Sequence, residues 1–283
     1  MFLSRGRRRR PVPAAIIQAL LLSAGSAGTV VTAQTTEFDH DYRAYAQLLS
    51  NHVSGARVDY AKLKRDRQAL EAVATELGQV SETDLEAWSR EHRLAYWINA
   101  YNIFTLKVIV DNYPIRGSWF GFSPRNSIKR IDGVWDRLTW KAGGREVTLD
   151  QIEHEILRPG FAEPRIHFAL NCASSSCPPI RSEPYRVDLL DRQLTLAARD
   201  FLASELGLQV SGSTLRVSRI FNWYGDDFIH QFAHLVDADR SEKERAILGV
   251  IAKYGPTEAA TLAREGQARI RFLKYDWALN DRS

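Results

Sequence analysis

A buried helix is predicted by the segment Leu94-Ala-Tyr-Trp-Ile-Asn-Ala-Tyr-Asn-Ile-Phe-Thr-Leu-Lys-Val-Ile-Val110, which is apolar on almost every face. A helix without a polar face must be enclosed by other elements, so we expect it at the centre of the fold. Asn99 and Asn102 lie one turn apart in its middle. Because an unpaired buried amide costs roughly 1–3 kcal/mol, both side chains must hydrogen-bond. Two alternatives stay open: the amides bind neighbouring backbone and fix the packing, or they face a site and bind substrate as oxyanion donors.

Further helices and two hairpins are predicted around this segment. The helices are expected at about 38–52, 61–77, 187–206, 226–236, 241–253 and 256–264. Gly143-Gly144 and Ser211-Gly212-Ser213 each separate two short strand-like runs, which is typical of β-hairpins, and residues 269–277 alternate like a last strand. The chain is therefore predicted to be an α+β protein, with a single helix-rich domain around a small, mostly antiparallel sheet that includes two hairpins.

A secretory signal peptide is predicted for residues 1–33. Arg5 and Arg7 to Arg10 form a basic start, an apolar stretch follows from about 14 to 24, and Val31-Thr32-Ala33 offers a cleavage site. The apolar stretch is too short for a membrane span, although a retained N-terminal anchor is the alternative. Residues 34–283 are then expected to form one globular domain in the periplasm or outside the cell.

The excess of positive charge belongs to the predicted signal peptide. The chain has a net charge of +4 at pH 7, and removal of the five N-terminal arginines changes it to about −1. The pI of about 9.1 is therefore no indication of a nucleic-acid partner. We expect a small-molecule or peptide ligand, no nucleic acid, no membrane contact after signal cleavage, and no cofactor.

The candidate site is centred on the stretch Arg165-Ile-His-Phe-Ala-Leu-Asn-Cys-Ala-Ser-Ser-Ser-Cys-Pro-Pro179. Residues 166–170 are predicted to form a buried strand, and the small and polar residues from Asn171 onward cannot continue it. Cys172 and Cys177 are the two cysteines of the chain. A reactive side chain on a loop that follows a rigid element is a common arrangement in enzymes.

A second set of polar side chains lies on a predicted helix, residues 149–157, which Thr148 is expected to cap and Pro159-Gly160 to end. Asp150, His154 and Arg158 are spaced at i, i+4 and i+8, which puts them along one helix face. Asp150 or Glu153 is expected to hold one nitrogen of His154 and to leave the other free to act as a general base. A surface stripe of salt bridges would have the same spacing and is the alternative.

Strand geometry favours one histidine over the other. In an extended strand, His167 and Cys172 would lie about 16 Å apart, with their side chains on opposite faces. His154 is therefore the preferred base for a Cys172 thiolate. His167, Asn171 and Arg158 are assigned to substrate binding, although His167 is also explained as a hydrogen-bonded histidine at the edge of the sheet.

Two other arrangements would use the same side chains. In an oxidising compartment Cys172 and Cys177 would pair, and the short loop that they close would add roughly 2 kcal/mol of stability in the chain-entropy model. His154 and His167 together with the two cysteines are also of the residue types that bind zinc. Their spacing lacks the close pairs of a zinc-finger pattern, so no metal site is predicted.

Four separated motifs follow one another along the chain. They are Trp97-Ile-Asn-Ala-Tyr-Asn102, Thr148-Leu-Asp-Gln-Ile-Glu-His154 through Ile156-Leu-Arg158, Arg165-Ile-His-Phe-Ala-Leu-Asn-Cys172 and Tyr275-Asp-Trp277. Together they resemble the domain-of-unknown-function 547 (DUF547) family over about residues 82–186, with the last motif near the C-terminus. The family brings no established reaction. The resemblance implies a pattern centred on Asn99, Asn102, His154, His167 and Cys172.

The resemblance also implies that some family members have serine where this chain has Cys177. On that basis Cys172 acts alone, and an essential disulfide or a four-ligand metal site is disfavoured. The working hypothesis is a thiol-dependent hydrolase or acyl transferase. Its predicted catalytic residues are Cys172 as nucleophile, His154 as base, and Asp150 or Glu153 as the orienting carboxylate. The alternative is a non-catalytic binding module with a structural Cys172–Cys177 disulfide.

Overall fold

The centre of the fold is helix α5, Arg90–Asn112, which contains the whole predicted apolar segment. In the computed structural model, which describes residues 37–116 and 124–282, every residue from Leu94 to Leu106 is buried. Ser89 begins the helix, because its hydroxyl accepts a hydrogen bond from the backbone N–H of His92. The predicted buried helix is thereby confirmed.

Four shorter helices and a small hairpin precede α5. They are α1 (Arg43–His52), strands β1 (Val53–Ser54) and β2 (Arg57–Val58), α2 (Tyr60–Arg65), α3 (Arg67–Gln79) and α4 (Glu82–Ala87). Helices α2 and α3 pack against α5. The single helix predicted at about 61–77 is divided at Asp66, whose backbone N–H bonds to the carbonyl of Lys62 and ends α2.

A hairpin and a helical segment follow α5. They are β3 (Trp140–Ala142), β4 (Arg145–Val147), a π-helix (Gln151–Leu157) and α6 (Arg158–Phe161). The hairpin turns at Gly143 and Gly144, whose φ angles of 56° and 79° are those that a two-residue turn of this kind requires. The predicted hairpin is confirmed.

The last part of the chain forms a second group of helices with a three-stranded sheet. Its elements are α7 (Leu190–Ala203), β5 (Leu208–Ser211), β6 (Thr214–Val217), α8 (Ile220–Tyr224), α9 (Ile229–Phe232), α10 (Glu242–Tyr254), α11 (Thr257–Arg264) and β7 (Arg269–Phe272). Strand β6 pairs with β5 in antiparallel and with β7 in parallel orientation. The prediction of a helix-rich α+β fold with two hairpins is confirmed. In the described residues the strands are divided among three small sheets.

The predicted strand at residues 166–170 is wrong. Residues Pro164–Phe168 form a 3₁₀-helical turn instead. Pro164 fits the first helical position, because it has no N–H to satisfy there, and the Glu163 carboxylate accepts the backbone N–H of Arg165. A short apolar run does not by itself distinguish a buried strand from a buried helical turn.

This turn joins the two hydrophobic clusters of the protein. Ile166, Ala169 and Leu170 belong to the cluster around α5, whereas Phe168 belongs to the cluster formed by α7, α8 and α10. From Phe38 onward the chain forms one compact unit. The turn therefore fixes the start of the cysteine-containing segment against both parts of the core.

Residues 172–177, named here the cysteine loop, are held by backbone hydrogen bonds to the C-terminal segment that follows the last strand. The last strand is shorter than the predicted 269–277, since it ends at Phe272. Beyond it, the N–H of Ser175 bonds to the carbonyl of Ala278, and the N–H of Asn280 bonds to the carbonyl of Ala173. The chain terminus thus fixes the shape of the cysteine loop.

The predicted signal peptide, residues 1–33, lies outside the described residues, and so does the boundary of the domain predicted at residue 34. Within the ranges that the structure describes, no helix combines the length and the apolar character needed to cross a membrane.

Candidate functional site

A cavity of about 280 Å³ is lined by residues from both hydrophobic clusters. Its lining consists of Tyr101, Trp135, Asp150, Glu153, His154, His167, Leu170, Cys172, Cys177, Pro178, Ile220, Trp223, Tyr224, Tyr275 and Trp277. Both cysteines, both candidate histidines and both candidate orienting carboxylates are among them. The side chains singled out by the sequence from two distant motifs therefore share one cavity.

The sulfur of Cys172 is surrounded by hydrogen-bonding groups. Its Sγ lies 2.6 Å from Cys177 Sγ, 3.2 Å from Ser174 Oγ and 3.2 Å from Tyr275 Oη. The hydroxyls of Ser174 and Tyr275 are themselves 3.0 Å apart. Both cysteines are free thiols, and Cys172 is half-buried whereas Cys177 is buried. No hydrogen bond joins Cys172 to either histidine within the described residues.

These contacts act on the acidity of the two thiols in opposite directions. Burial alone would raise the pKa of Cys172, but hydrogen bonds from Cys177, Ser174 and Tyr275 outweigh it and lower the pKa to about 7. Burial, followed by the contact with the Cys172 sulfur, raises the pKa of Cys177 well above its ordinary value. Burial also raises the pKa of Tyr275, so its hydroxyl keeps its hydrogen and donates. Cys172 is therefore the thiol that ionises.

Buried amides hold the cysteine loop in place. The Asn171 side chain donates to the carbonyl of Pro178 and accepts from the N–H of Ala173 and from the amide of Asn280. The backbone N–H of Asn171 donates to Asn102 Oδ1 at 2.9 Å. Asn171, predicted to bind substrate, is thus engaged on every side by the protein and does not line the cavity.

Asn99 and Asn102 of α5 both clamp backbone of facing segments. Asn99 donates to the carbonyl of Tyr185 at 2.8 Å and accepts from its N–H at 2.9 Å. Asn102 donates to the carbonyl of Ala169 and accepts from the N–H of Asn171. Since donor and acceptor are occupied in both amides, and neither residue lines the cavity, these contacts favour the packing alternative.

His167 is held by a carboxylate that the sequence did not single out. Its Nε2 lies 2.7 Å from Asp227 Oδ2, in the turn that follows α8. Burial works to raise the pKa of Asp227, but hydrogen bonds from Arg158 and His167 outweigh it and hold the pKa well below its ordinary range. An ionised carboxylate only accepts, so Nε2 of His167 carries the hydrogen and Nδ1 carries the lone pair. Nδ1 has no hydrogen-bond partner within the described residues.

Arg158 links the two histidines. Its Nε and one terminal nitrogen donate to Asp227 at 2.6 and 2.8 Å, which is a two-point contact. Its other terminal nitrogen lies 3.1 Å from His154 Nδ1. A guanidinium has no acceptor, so Nδ1 of His154 must accept and the hydrogen must lie on Nε2. Arg158, predicted to bind substrate, therefore makes its contacts with protein groups.

The carboxylates predicted to orient His154 have different partners. Asp150 Oδ1 lies 3.8 Å from His154 Nε2, which is an ionic contact beyond hydrogen-bond distance. Glu153 is buried, and its charge acts on Tyr224, which lines the same cavity. Burial and then the Glu153 charge raise the pKa of Tyr224 well above its ordinary value. The Nδ1 lone pair of His154 is therefore engaged by Arg158, while its Nε2 faces Asp150 at a distance beyond a hydrogen bond.

The helical segment that carries Glu153, His154 and Arg158 has wider turns than the α-helix that the sequence predicts. Over Gln151–Leu157 it is a π-helix, in which the N–H of Arg158 bonds to the carbonyl of Glu153. It then continues into α6, so Pro159 lies inside the helical segment and does not end it. Thr148 and Gln151 bond reciprocally at its start, as the predicted cap requires. Such wide turns are frequent at functional sites.

Four residues of the site were missed: Ser174, Tyr224, Asp227 and Tyr275. Tyr224 stacks against His167 with ring centroids 4.2 Å apart and against His154 at 6.2 Å. In the sequence, Asp227 comes shortly after the aromatic residues Phe221, Trp223 and Tyr224, and an acidic residue beside such a run could have indicated it. Tyr275 belongs to a motif that the family resemblance contained. Within the described residues, no group of three or more His, Cys, Asp and Glu side chains is arranged to hold a metal ion.

Fold and cavity together define a helix-rich α+β protein whose cavity is lined by two thiols and by a histidine that a carboxylate holds. Residues 85–202 match the family described as "Protein of unknown function, DUF547", so the resemblance is confirmed and this segment is a DUF547 region. The match includes Cys172, His154 and His167, whereas Asp227 and Tyr275 come after it. No curated protein and no solved structure matches the chain significantly.

Proposed function

We propose that the protein is a thiol-dependent hydrolase or acyl transferase with Cys172 as its nucleophile. The observation that carries this proposal is the environment of Cys172 Sγ, which lines a cavity and is contacted by the Cys177 thiol and by the hydroxyls of Ser174 and Tyr275. These groups stabilise a thiolate, the nucleophilic form of cysteine. Because the pKa is lowered to about 7, a large share of the sulfur is ionised at neutral pH.

His167 is the base in this proposal, in place of His154. Its Nε2 is fixed by Asp227, which leaves the Nδ1 lone pair without a partner among the described residues. His154 lacks such a lone pair, since Arg158 donates to its Nδ1. The reason for preferring His154 was the strand geometry of residues 166–170, and the turn at Pro164–Phe168 removes it.

The reaction has two steps. The Cys172 thiolate forms a bond to the substrate's carbonyl carbon while the carbonyl electron pair moves to oxygen. When that pair returns, the bond to the leaving group breaks, and the leaving group departs with that bond's electron pair and takes a proton from water. Water in a hydrolase, or an acceptor nucleophile in a transferase, then gives a proton to His167 and attacks the thioester, which releases Cys172.

The pH dependence of alkylation tests the nucleophile. Iodoacetamide should label Cys172 of the reduced protein with a midpoint near pH 7, as the lowered pKa of this thiol requires. p-Nitrophenyl acetate should give a stoichiometric burst of p-nitrophenolate and an acetyl group on Cys172, located by peptide mass spectrometry. Cys172→Ala should abolish both signals. Labelling with the midpoint of an ordinary thiol, or a burst that survives Cys172→Ala, would contradict the proposal.

The second candidate is a non-catalytic binding module with a structural disulfide. The 2.6 Å between the two sulfurs favours it, because two thiols this close are readily oxidised to a pair. Mass spectrometry of the protein isolated without reductant distinguishes the candidates. A chain that lacks the two thiol hydrogens, loses stability on reduction and gives no burst with p-nitrophenyl acetate supports the disulfide module. A chain with free thiols supports the enzyme.

Export is part of the same proposal. We infer from Arg5, Arg7 to Arg10 and the apolar stretch after them that residues 1–33 are removed and that the protein acts in the periplasm or outside the cell. N-terminal sequencing of the protein from an extracellular or periplasmic fraction should begin at Gln34. Recovery of full-length chain from the cytoplasm alone would contradict it.

A further inference from the structure

A groove with unpaired cations adjoins the cavity. Its volume is about 520 Å³, and it shares Trp223, Tyr275 and Trp277 with the cavity. Arg216, Arg219, Phe272, Leu273 and Lys274 complete it, and the whole set is named here the basic groove. Cavity and groove thus have one aromatic wall in common.

The shared wall reaches the nucleophile directly. Tyr275 lines the groove, and its hydroxyl contacts Cys172 Sγ at 3.2 Å. The ring of Trp223 packs against Tyr275 at 4.8 Å and against Trp277 at 5.8 Å. A molecule that lies along these rings therefore has one part in the groove and another at the sulfur.

The cations of the groove have no counter-charge within the described residues. The side chains of Arg216, Arg219 and Lys274 are exposed, and none of them forms an ion pair or a hydrogen bond there. Most other arginines near the cavity are paired, as Arg158 is with Asp227. Three unpaired cations on one wall give a local positive potential, although the net charge of residues 34–283 is about −1.

The nearby groups do not cancel this charge. Asp276 is exposed, and its carboxylate accepts the N–H of Ala278. Glu205 lies with Arg219 and Lys274 in a smaller adjoining pocket without forming an ion pair. A further cation, Lys129, lies 4.6 Å above the ring of Trp277. Positively charged side chains therefore outnumber negatively charged ones around the basic groove.

The groove also exposes aromatic surface. Trp223 and Phe272 are each 39% exposed, which is unusual for large apolar side chains in this protein. Aromatic faces beside arginine and lysine suit a ligand that joins an apolar part to an anionic group. Arginine recognises carboxylate and phosphate with the same two-point geometry.

We propose that the basic groove binds an anionic group, a carboxylate or a phosphate, of the acyl substrate whose carbonyl reaches Cys172. The inference rests on the proposed function, because it takes Cys172 as the reacting atom. It adds the substrate class, an acyl compound with an anionic group on the side of Trp223, and it assigns substrate recognition to residues after the DUF547 region.

Two alkylating reagents of different charge test the groove. Both reagents react with the thiolate, so a change in the thiolate fraction alters both labelling rates of Cys172 equally. The ratio of the rate with iodoacetate to the rate with iodoacetamide therefore does not depend on that fraction. In the triple variant Arg216→Gln, Arg219→Gln and Lys274→Gln, this ratio should fall about fivefold at low ionic strength, and added salt should bring the wild-type ratio towards the variant's. Arg65→Gln is a control for the loss of a surface charge, since Arg65 is an exposed arginine of α2, outside groove and cavity, that forms no ion pair with any residue that the structure describes. An unchanged ratio in the triple variant, or an equal fall in the control, overturns the inference.

Competing anions identify the group. Inorganic phosphate and acetate are compared with chloride at equal ionic strength for their ability to slow iodoacetate labelling of the wild type. A stronger effect of phosphate assigns a phosphate, and a stronger effect of acetate assigns a carboxylate. If neither exceeds chloride, the groove does not bind an anion and the inference fails.

A measurement without the thiol separates the two proposals. If neither reagent labels Cys172, the proposed function fails, and quenching of tryptophan fluorescence by iodide relative to acrylamide still tests the groove. The iodide-to-acrylamide quenching ratio should be higher in the wild type than in the triple variant, and the difference should become smaller in a Trp223→Phe background, where Trp277 is the remaining tryptophan of the groove. Equal ratios in wild type and triple variant would show that the groove does not attract anions.

Discussion

His154 and His167 line one cavity and stack against one tyrosine, yet their nitrogens are used in opposite ways. His154 lies on the π-helix and is half-exposed, with 38% of its side chain accessible, whereas His167 lies on the 3₁₀-helical turn with 2% accessible. The exposed histidine has both nitrogens directed at charged protein groups. The buried one keeps a lone pair free within the described residues.

Arg158 explains the difference. One guanidinium occupies Nδ1 of His154 and also holds Asp227, the carboxylate that fixes His167. A pure donor next to an imidazole removes its lone pair from use, while a pure acceptor turns the lone pair outward. The chemistry of a histidine is therefore set by the kind of partner it has, which a spacing along one helix does not reveal.

Replacing each histidine by asparagine should give the largest difference in turnover between two variants. With p-nitrophenyl acetate the leaving group needs no proton, so His167→Asn should keep the burst but slow the later turnover about 100-fold, because attack of water on the thioester needs a base. His154→Asn should change turnover less than about threefold, since the proposed general base is His167. Burst and steady-state phases of p-nitrophenolate release measure both.

If His154→Asn slows turnover more than His167→Asn does, His154 is the base, and the role given to His167 is contradicted. Circular dichroism and thermal unfolding of both variants serve as controls, because His167 is buried beside Tyr224 and Phe228. A loss of turnover in His167→Asn counts only in a variant that remains folded at the assay temperature.

Asp227→Asn should have the next largest effect. Its amide removes the ionised acceptor that keeps hydrogen on Nε2 of His167, so turnover should fall at least about 10-fold with the burst retained. Asp227→Glu preserves a carboxylate and should lose less. If both variants are equally impaired, Asp227 acts through the structure of the turn and not through the tautomer of His167.

The pKa of Cys172 should respond to the cysteine loop and not to the histidines. Cys177→Ala removes a hydrogen bond that stabilises the thiolate, so the pKa rises above about 7 and less thiolate is present at neutral pH. Iodoacetamide labelling at pH 7 should slow about threefold, and the midpoint of the pH profile should move upward. Cys177→Ser keeps a donor and should move it less. A midpoint that shifts in His167→Asn instead would place the histidine in direct contact with the thiol.

Much of the scaffold could be predicted because local sequence carries it. The apolar faces of α5, the paired glycines at 143 and 144 and the cap at Thr148 each dictate structure within a few residues. The turn at Pro164–Phe168 was missed because a five-residue apolar run fits a strand or a helical turn equally. That one error reversed the choice between the histidines.

The site itself depends on contacts between residues far apart in the chain. Asp227 meets His167 across 60 positions, and Tyr275 meets Cys172 across 103. No periodicity reports such contacts. What the sequence did indicate were the residue types, cysteine, histidine and carboxylate, in motifs that the fold brings to one cavity.

The smallest effect on turnover is expected at the buried amides of α5, which form a matched pair. Asn99→Ala and Asn102→Ala should each lower the free energy of unfolding by about 1–3 kcal/mol, because each leaves backbone groups of a facing segment unpaired. Asn99 holds Tyr185, away from the cavity, so its loss should change turnover less than about twofold. Asn102 holds the N–H of Asn171, the residue before Cys172, and its loss should slow the burst a few-fold as well. Urea unfolding measures the stability of both variants, and burst kinetics measures their activity. An Asn99→Ala variant that is stable but inactive would show that this amide binds substrate.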